Sequence, residues 1–339
     1  MDERLTGVAR KLGWEIRSSA AMEAGANSCL WQVRCADGQR YVVKTYRTRP
    51  GDTRDRLETE YQALLYLWQQ GWRQIPEPIV KDETAGLAVF RFIDGRRLAS
   101  EEITVLQTQQ AARVLLGLRN VSAGAAQTFA PASEACLCLQ AYVEAVRARH
   151  DRLCAIADAG LQKFLTQEWE PFLGSCVRWF ERQAGIQNLD LQLVLPRQAQ
   201  ILSPSDVGFH NILWQAQEGQ LYLIDFEYFG WDDPVKLACD FVLEPGVPLP
   251  PGQAPAFLQT FLGGFPDPPA LHRRFGLVYP LVGHKWCGIM LNAFLPGHAE
   301  QLGDLVSVVQ ATQLAKARAY LNDLIQVVES DTFIEWVIG

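Results

Sequence analysis

No CxxC pair and no histidine at metal-ligand spacing accompanies the eight cysteines of this 339-residue chain, so nothing in it reads as a zinc site. Cys29, Cys35, Cys136, Cys138, Cys154, Cys176, Cys239 and Cys287 read instead as small core residues or free thiols, a usage that fits a reducing cytoplasm. A basic surplus is missing as well. The net charge of −7 argues against a general nucleic-acid surface, because phosphate-backbone binders are usually basic. Nor is there an uninterrupted apolar run of membrane length. Residues 277–296 come nearest, but His284, Lys285 and Asn292 interrupt them and Pro280 breaks them, so a buried helix is expected and no membrane partner. The opening Met1-Asp-Glu-Arg-Leu5 is charged with no apolar stretch behind it, and a secretory signal is not expected. Internal repeats and low-complexity tracts are absent too. With 48% hydrophobic and 20% charged residues, the composition is that of a globular protein long enough for one large domain or two packed lobes.

The first 100 residues read as a small mixed α/β lobe. Cys29-Leu-Trp-Gln-Val-Arg-Cys35 and Arg40-Tyr-Val-Val-Lys-Thr-Tyr46 flank Asp37-Gly38, the pattern of an antiparallel hairpin. Leu57, Tyr61, Leu64, Leu65 and Trp68 form one helical stripe, which Gly71, Pro76 and Pro78 terminate. Leu87-Ala-Val-Phe-Arg-Phe-Ile93 is a further strand, closed by Asp94-Gly95. Beyond Arg96 helical patterns dominate. Ser100 is placed to cap a helix with Glu101 and Glu102 in its first turn. Residues 133–183 read as helix with a break at Gly160, and 305–328 as a long closing helix. Short strands are expected at 200–202, 211–214 and 221–224, and five prolines in residues 245–255 mark a surface loop.

The chemistry is concentrated in Ile201-Leu-Ser-Pro-Ser-Asp206-Val-Gly-Phe-His-Asn211-Ile-Leu-Trp214 and Leu221-Tyr-Leu-Ile-Asp225-Phe-Glu227. An aspartate, an asparagine five residues on, and a hairpin ending in Ile-Asp-Phe match a kinase catalytic loop and its metal-binding strand. Phosphoryl transfer needs one carboxylate to take or orient the proton of the attacking hydroxyl. It also needs a carboxylate and an amide oxygen to hold Mg²⁺ against the phosphates. A turn at Glu218-Gly219 would set Asn211 and Asp225 on neighbouring strands. Upstream, Lys44 closes Tyr41-Val-Val-Lys44, the position of a lysine that meets the α- and β-phosphates. The stripe helix offers Glu58 or Glu60 as its partner, and both stand at similar angles from the centre of the apolar stripe.

On these motifs the chain resembles the aminoglycoside phosphotransferase and choline kinase superfamily over residues 20–240. Ile224-Asp-Phe-Glu-Tyr228 is choline-kinase-like, and Gly230-Trp-Asp-Asp-Pro234 is similar to a segment of aminoglycoside phosphotransferases. The resemblance implies an α+β, two-lobed protein-kinase-like fold: a small antiparallel-sheet N-terminal lobe with one helix (1–93) and a larger, mainly helical C-terminal lobe (94–339). The second lobe would hold the catalytic loop (200–214), the metal-binding strand (221–227) and the acceptor site. It implies ATP, Mg²⁺ and a small-molecule acceptor, with Asp206 as catalytic base and Asn211 and Asp225 as metal ligands. Lys44 would bind nucleotide with Glu60 as its partner, since a glutamate followed by Leu64, Leu67 and Gly71 fits the family pattern. Gly25-Ala-Asn-Ser28 would cover the phosphates, with Gly25 and Ser28 in close approach. One position departs. A histidine usually stands two residues before the aspartate, and here it is Pro204.

The expected activity is therefore ATP- and Mg²⁺-dependent transfer to a small-molecule hydroxyl, in the cytoplasm. The alternative is a catalytically silent, kinase-shaped nucleotide binder or scaffold. A protein kinase fits less well, because more than 100 residues separate Phe90-Arg-Phe-Ile93, where an interlobe hinge would pass the adenine, from the catalytic loop, and no Ala-Pro-Glu follows Asp225. Between Asp225 and Glu244 stand Asp225, Glu227, Asp232, Asp233, Asp240 and Glu244 against one base, Lys236. They read either as a negative mouth for a cationic amino alcohol or amino sugar, with Trp231 facing the amine, or as ordinary helix-start chemistry with Asp233 as cap and Pro234 in the first turn.

Overall fold

Side chains alternate across a strand, so the residue next to a core valine faces the other side of its sheet. In the computed structural model, which describes residues 3–22, 27–47, 54–125, 129–330 and 333, that rule organises the N-terminal sheet. Helix α1 (Glu3–Leu12) precedes β1 (Ile16–Ala21), β2 (Ser28–Cys35) and β3 (Arg40–Tyr46); α2 (Arg56–Gln69), β4 (Pro78–Asp82) and β5 (Leu87–Arg91) follow. The five strands run antiparallel in the order β1-β2-β3-β5-β4. Val33, Tyr41, Val43, Leu87 and Val89 bury one face of the sheet together with Val8 of α1. Lys44, next to Val43, therefore points to the opposite face, where the cross-strand neighbour is the small Ala88. Helix α2, capped by the Asp55 carboxylate on the Glu58 N–H at 2.9 Å, buries Ala63, Leu64 and Leu67.

The remaining helices are α3 (Val105–Ser122), α4 (Leu139–Cys154), α5 (Ala159–Phe164), α6 (Glu170–Ile186), α7 (Pro234–Leu243), α8 (Ala254–Phe261), α9 (Pro268–Met290), α10 (Pro296–Leu302) and α11 (Val306–Val328). Strand β6 (Ile201–Ser203) precedes the hairpin of β7 (Ile212–Gln215) and β8 (Gln220–Leu223), and β9 (Gly230–Asp232) leads into α7. The chain packs as two units, Met1–Leu98 with Pro204–Gly230, and Ala99–Ser203 with Trp231–Gly339. The motif segment from Pro204 to Gly230 thus groups with the N-terminal sheet, whereas the division at 93/94 assigned it to the helical part. Main-chain bonds explain the grouping: Leu223 N–H reaches the Gln74 carbonyl at 2.8 Å, and Arg96 and Trp214 exchange bonds at 3.0 and 2.7 Å.

Several expectations shift in detail. Among its described residues the first unit carries two α-helices, because α1 joins α2. Ser100 does not cap α3: Ser100–Glu102 is a 3₁₀ turn, and Thr104 caps instead, exchanging bonds with Gln107. Gly160 lies inside α5, and the break falls just before it, where Asp158 caps the helix through the Leu161 N–H at 2.8 Å. The apolar stretch around Pro280 is a buried part of α9. Among the described residues no helix is long and apolar enough to cross a membrane.

Candidate active site

Lys44, Glu60 and Asp225 form the centre of the site. Lys44 Nζ lies 2.6 Å from Glu60 Oε2 and 2.8 Å from Asp225 Oδ1. Burial by itself would lower the Lys44 pKa, but the Asp225 and Glu60 carboxylates outweigh it and hold the ammonium above the ordinary lysine range. Burial raises the Glu60 carboxyl, with Lys44 opposing. Two further donors tie Glu60 down: Tyr46 Oη to Oε2 at 2.8 Å and the Phe226 N–H to Oε1 at 3.3 Å. Glu58 points elsewhere and bonds Lys81. With 42% of its side chain exposed, Glu58→Ala is expected to change unfolding free energy in urea by less than about 1 kcal/mol.

The loop and hairpin bring the other oxygens to the same segment. Ile224 N–H bonds the Asn211 carbonyl at 3.0 Å, which places Asp225 one residue beyond a direct link to Asn211. Asn211 Nδ2 in turn donates to the Asp206 main-chain carbonyl at 3.1 Å. Asp206 and Asp225 keep 33% and 35% of their side chains exposed, against 6% for Lys44, so both carboxylates remain partly open to solvent while the ammonium is buried. Ser205 and Asp225 adopt left-handed backbone, at φ 68° and 67°, a conformation that non-glycine residues occupy mainly where surrounding structure enforces it. His210 Nε2 lies 3.2 Å from Asp206 Oδ1.

Gly25 lies outside the described residues. Ser28 is buried at the first position of β2, opposite Tyr46. Its neighbour Asn27, which the sequence did not single out, donates to Glu227 Oε1 at 2.6 Å and to Tyr228 Oη at 2.7 Å. Tyr46 and His210 were likewise unassigned to the site, and Glu227 entered only as one acid of the candidate mouth. Only the i, i+4 spacing of Asp206 and His210 was available as a signal.

A profile described as the phosphotransferase enzyme family matches residues 21–272. The chain belongs to that family. No curated protein matches it. Among solved structures, choline kinase LicA from Streptococcus pneumoniae is similar at TM-score 0.62 and 17% identity, over 95% of this chain and 100% of that one. Spectinomycin phosphotransferase APH(9)-Ia, in complex with ADP and spectinomycin, gives 0.62 and 14%, over 99% and 97%. Amicoumacin kinase hAmiN, in complex with AMP-PNP, Ca²⁺ and Ami, gives 0.57 and 14%, over 94% and 96%. These likenesses show the kinase-like α+β fold of this phosphotransferase.

The acidic segment of the phosphotransferase is internally neutralised. Asp232 and Asp240 bond Lys236 at 3.0 and 2.8 Å, and Asp240 also bonds Lys285. Asp233 pairs with Arg274 at 2.7 Å, accepts from Tyr142 and caps α7 through the Val235 N–H. Glu227 is buried beside Arg56 at 3.6 Å, and Glu244 accepts from the Gly246 and Val247 amides. Trp231 is 1% exposed, with the Arg197 guanidinium 4.4 Å from its ring centroid. Asp233 caps α7 with Pro234 in its first turn, as the helix-start reading has it, and Asp232, Asp233 and Asp240 are buried in internal ion pairs.

The donor set around Asp225 suits a hard cation. Asn211 and Asp225 offer amide and carboxylate oxygens, and Glu227 Oε2 is buried with no hydrogen-bond partner among the described residues, an orphan of the kind that a cation or its water satisfies. Among the described residues no three His, Cys, Asp or Glu converge into an all-protein metal cage. Mg²⁺ does not require one, because it binds through one or two carboxylates together with substrate phosphates.

Proposed function

We propose that the protein transfers the γ-phosphoryl group of ATP, in the presence of Mg²⁺, to a hydroxyl of a small molecule. The observation that carries this reading is a run of three bonds: Lys44 to Asp225 at 2.8 Å, the N–H of the adjoining Ile224 to the Asn211 carbonyl at 3.0 Å, and Asn211 Nδ2 to the Asp206 carbonyl at 3.1 Å. The neighbours crystallised with ADP and with AMP-PNP and Ca²⁺ support the choice of nucleotide and divalent ion. Such catalysis is mainly positioning and charge neutralisation. Lys44 supplies a permanently charged ammonium for the α- and β-phosphates, oriented by Glu60. Asp206 accepts the acceptor's hydroxyl proton as the new O–P bond forms and the β–γ bridging bond breaks, its electrons leaving with ADP. Asn211 and Asp225 would hold the Mg²⁺, which would neutralise charge on the phosphate oxygens. Because the acids at 227–244 are occupied internally, this reading does not require a cationic acceptor.

A thermal-shift titration tests the reading. ATP with Mg²⁺ at about 100 times its Kd is expected to stabilise the fold by about 2.7 kcal/mol, and ATP without Mg²⁺ much less. Absence of a shift with either would favour the silent-scaffold reading.

A further inference from the structure

Pro204, two residues before Asp206, has no side-chain donor with which to support the loop. The carboxylate is nonetheless held. His210 lies four residues later on the 3₁₀ turn Phe209–Asn211, with Nε2 3.2 Å from Asp206 Oδ1. The turn is itself anchored at three points. Phe209 is 2% exposed, Arg97 Nε donates to the His210 carbonyl at 2.8 Å, and Asn211 Nδ2 reaches back to the Asp206 carbonyl. The imidazole therefore approaches the carboxylate from a backbone that has little freedom to withdraw it.

We propose that His210 is a positioning residue for Asp206. An Nε2–H donated to Oδ1 fixes the carboxylate rotamer and leaves Oδ2 to meet the acceptor hydroxyl. A carboxylate has two equivalent oxygens and free rotation about its terminal bond, so one fixed donor converts a set of orientations into one. The proposal rests on the assignment of Asp206 as base and concerns how that group is aimed. In this role His210 orients Asp206 and is not assigned a contact with nucleotide or acceptor.

The test uses the full-length chain with Mg·ATP. ADP release is followed with whichever member of a panel of small alcohols, amines and sugars accepts phosphate, and with water alone if none does. His210→Ala is expected to lower kcat by about tenfold to a hundredfold, the effect of losing one charge-assisted hydrogen bond. The KM for Mg·ATP should stay within about twofold, since no ground-state nucleotide contact is removed. His210→Gln retains an N–H at the ε position and is expected to recover most of the lost kcat. A parental kcat in His210→Ala would overturn the proposal, and so would a His210→Gln variant as slow as His210→Ala. These outcomes differ from failure of the base assignment, in which Asp206→Asn itself would turn over at the parental rate. A second measurement needs no turnover and covers an alanine variant that fails to fold. In ¹⁵N-histidine spectra of the parent, His210 is expected as the Nε2–H tautomer, with that resonance displaced in Asp206→Asn. An Nδ1–H tautomer, or a resonance indifferent to Asp206→Asn, would remove the hydrogen bond and the proposal with it.

Discussion

Asp206→Asn is expected to reduce kcat for phosphoryl transfer by about 10²- to 10⁴-fold, the usual contribution of a positioned general base, with Mg·ATP affinity almost unchanged. The geometry makes the substitution unusually clean. The loop is held by the Asp206 main-chain carbonyl, which accepts from Asn211 Nδ2 at 3.1 Å, and that bond survives any side-chain change. Asparagine keeps the volume and one carbonyl oxygen for His210, but its amide takes no proton. Lys44 bonds both Glu60 and Asp225, and among the described residues the Asp206 side chain bonds His210 and none of these three, so the nucleotide-facing groups should be undisturbed. Single-turnover ADP formation together with a Mg·ATP binding titration separates the two effects. Equal rates in parent and variant would take Asp206 out of the chemistry. A loss of binding in step with rate would make it a structural residue.

The motif segments were legible because the required atoms lie close in sequence. Five residues separate Asp206 from Asn211, and one tight hairpin with Gly219 at φ 62° returns the chain to Asp225, so spacing alone constrains three of the groups. Strand alternation then predicts which face Lys44 takes. Periodicity was too coarse to choose between Glu58 and Glu60. The two differ by 200° around an ideal helix yet flank the apolar stripe almost symmetrically, and only the curvature and partners of the real sheet give Lys81 to one and Lys44 to the other. Charge counting left the acids at 225–244 open between two readings for a different reason. The density of acids at 225–244 says nothing about Lys285 and Arg274, which come from α9, tens of residues away in sequence, to neutralise Asp240 and Asp233. The bonds from Asn27 to Glu227 and Tyr228 span about 200 residues and leave no local pattern to read.

Lys236→Met is expected to destabilise the helical unit by about 3–5 kcal/mol, the range for removing one partner of a buried ion pair. Lys236 is 1% exposed, and its side chain bridges Asp232 and Asp240, both 0% exposed. Methionine fills much the same space, so the loss is electrostatic and leaves little cavity. The two carboxylates do not suffer equally. Asp240 keeps Lys285 and the Trp286 indole N–H at 3.0 Å, and its two lysines together overcome burial to hold its pKa below the ordinary value. Asp232 keeps, among the described residues, the Cys136 and Asp233 amides, and burial already holds its carboxyl above the usual range with Lys236 present. Removing the lysine pushes that pKa further up. A carboxyl raised in the folded state costs stability while ionised and ceases to as pH falls through its folded value. The deficit in urea-unfolding free energy between variant and parent should therefore be largest at pH 7 and shrink toward pH 5. Adding Asp232→Asn to Lys236→Met should recover part of it at pH 7 by removing the stranded charge, a coupling that a double-mutant cycle reads directly. Parental stability in Lys236→Met at pH 7, or a deficit independent of both pH and Asp232→Asn, would show that the bridge does not carry the charge balance assigned to it.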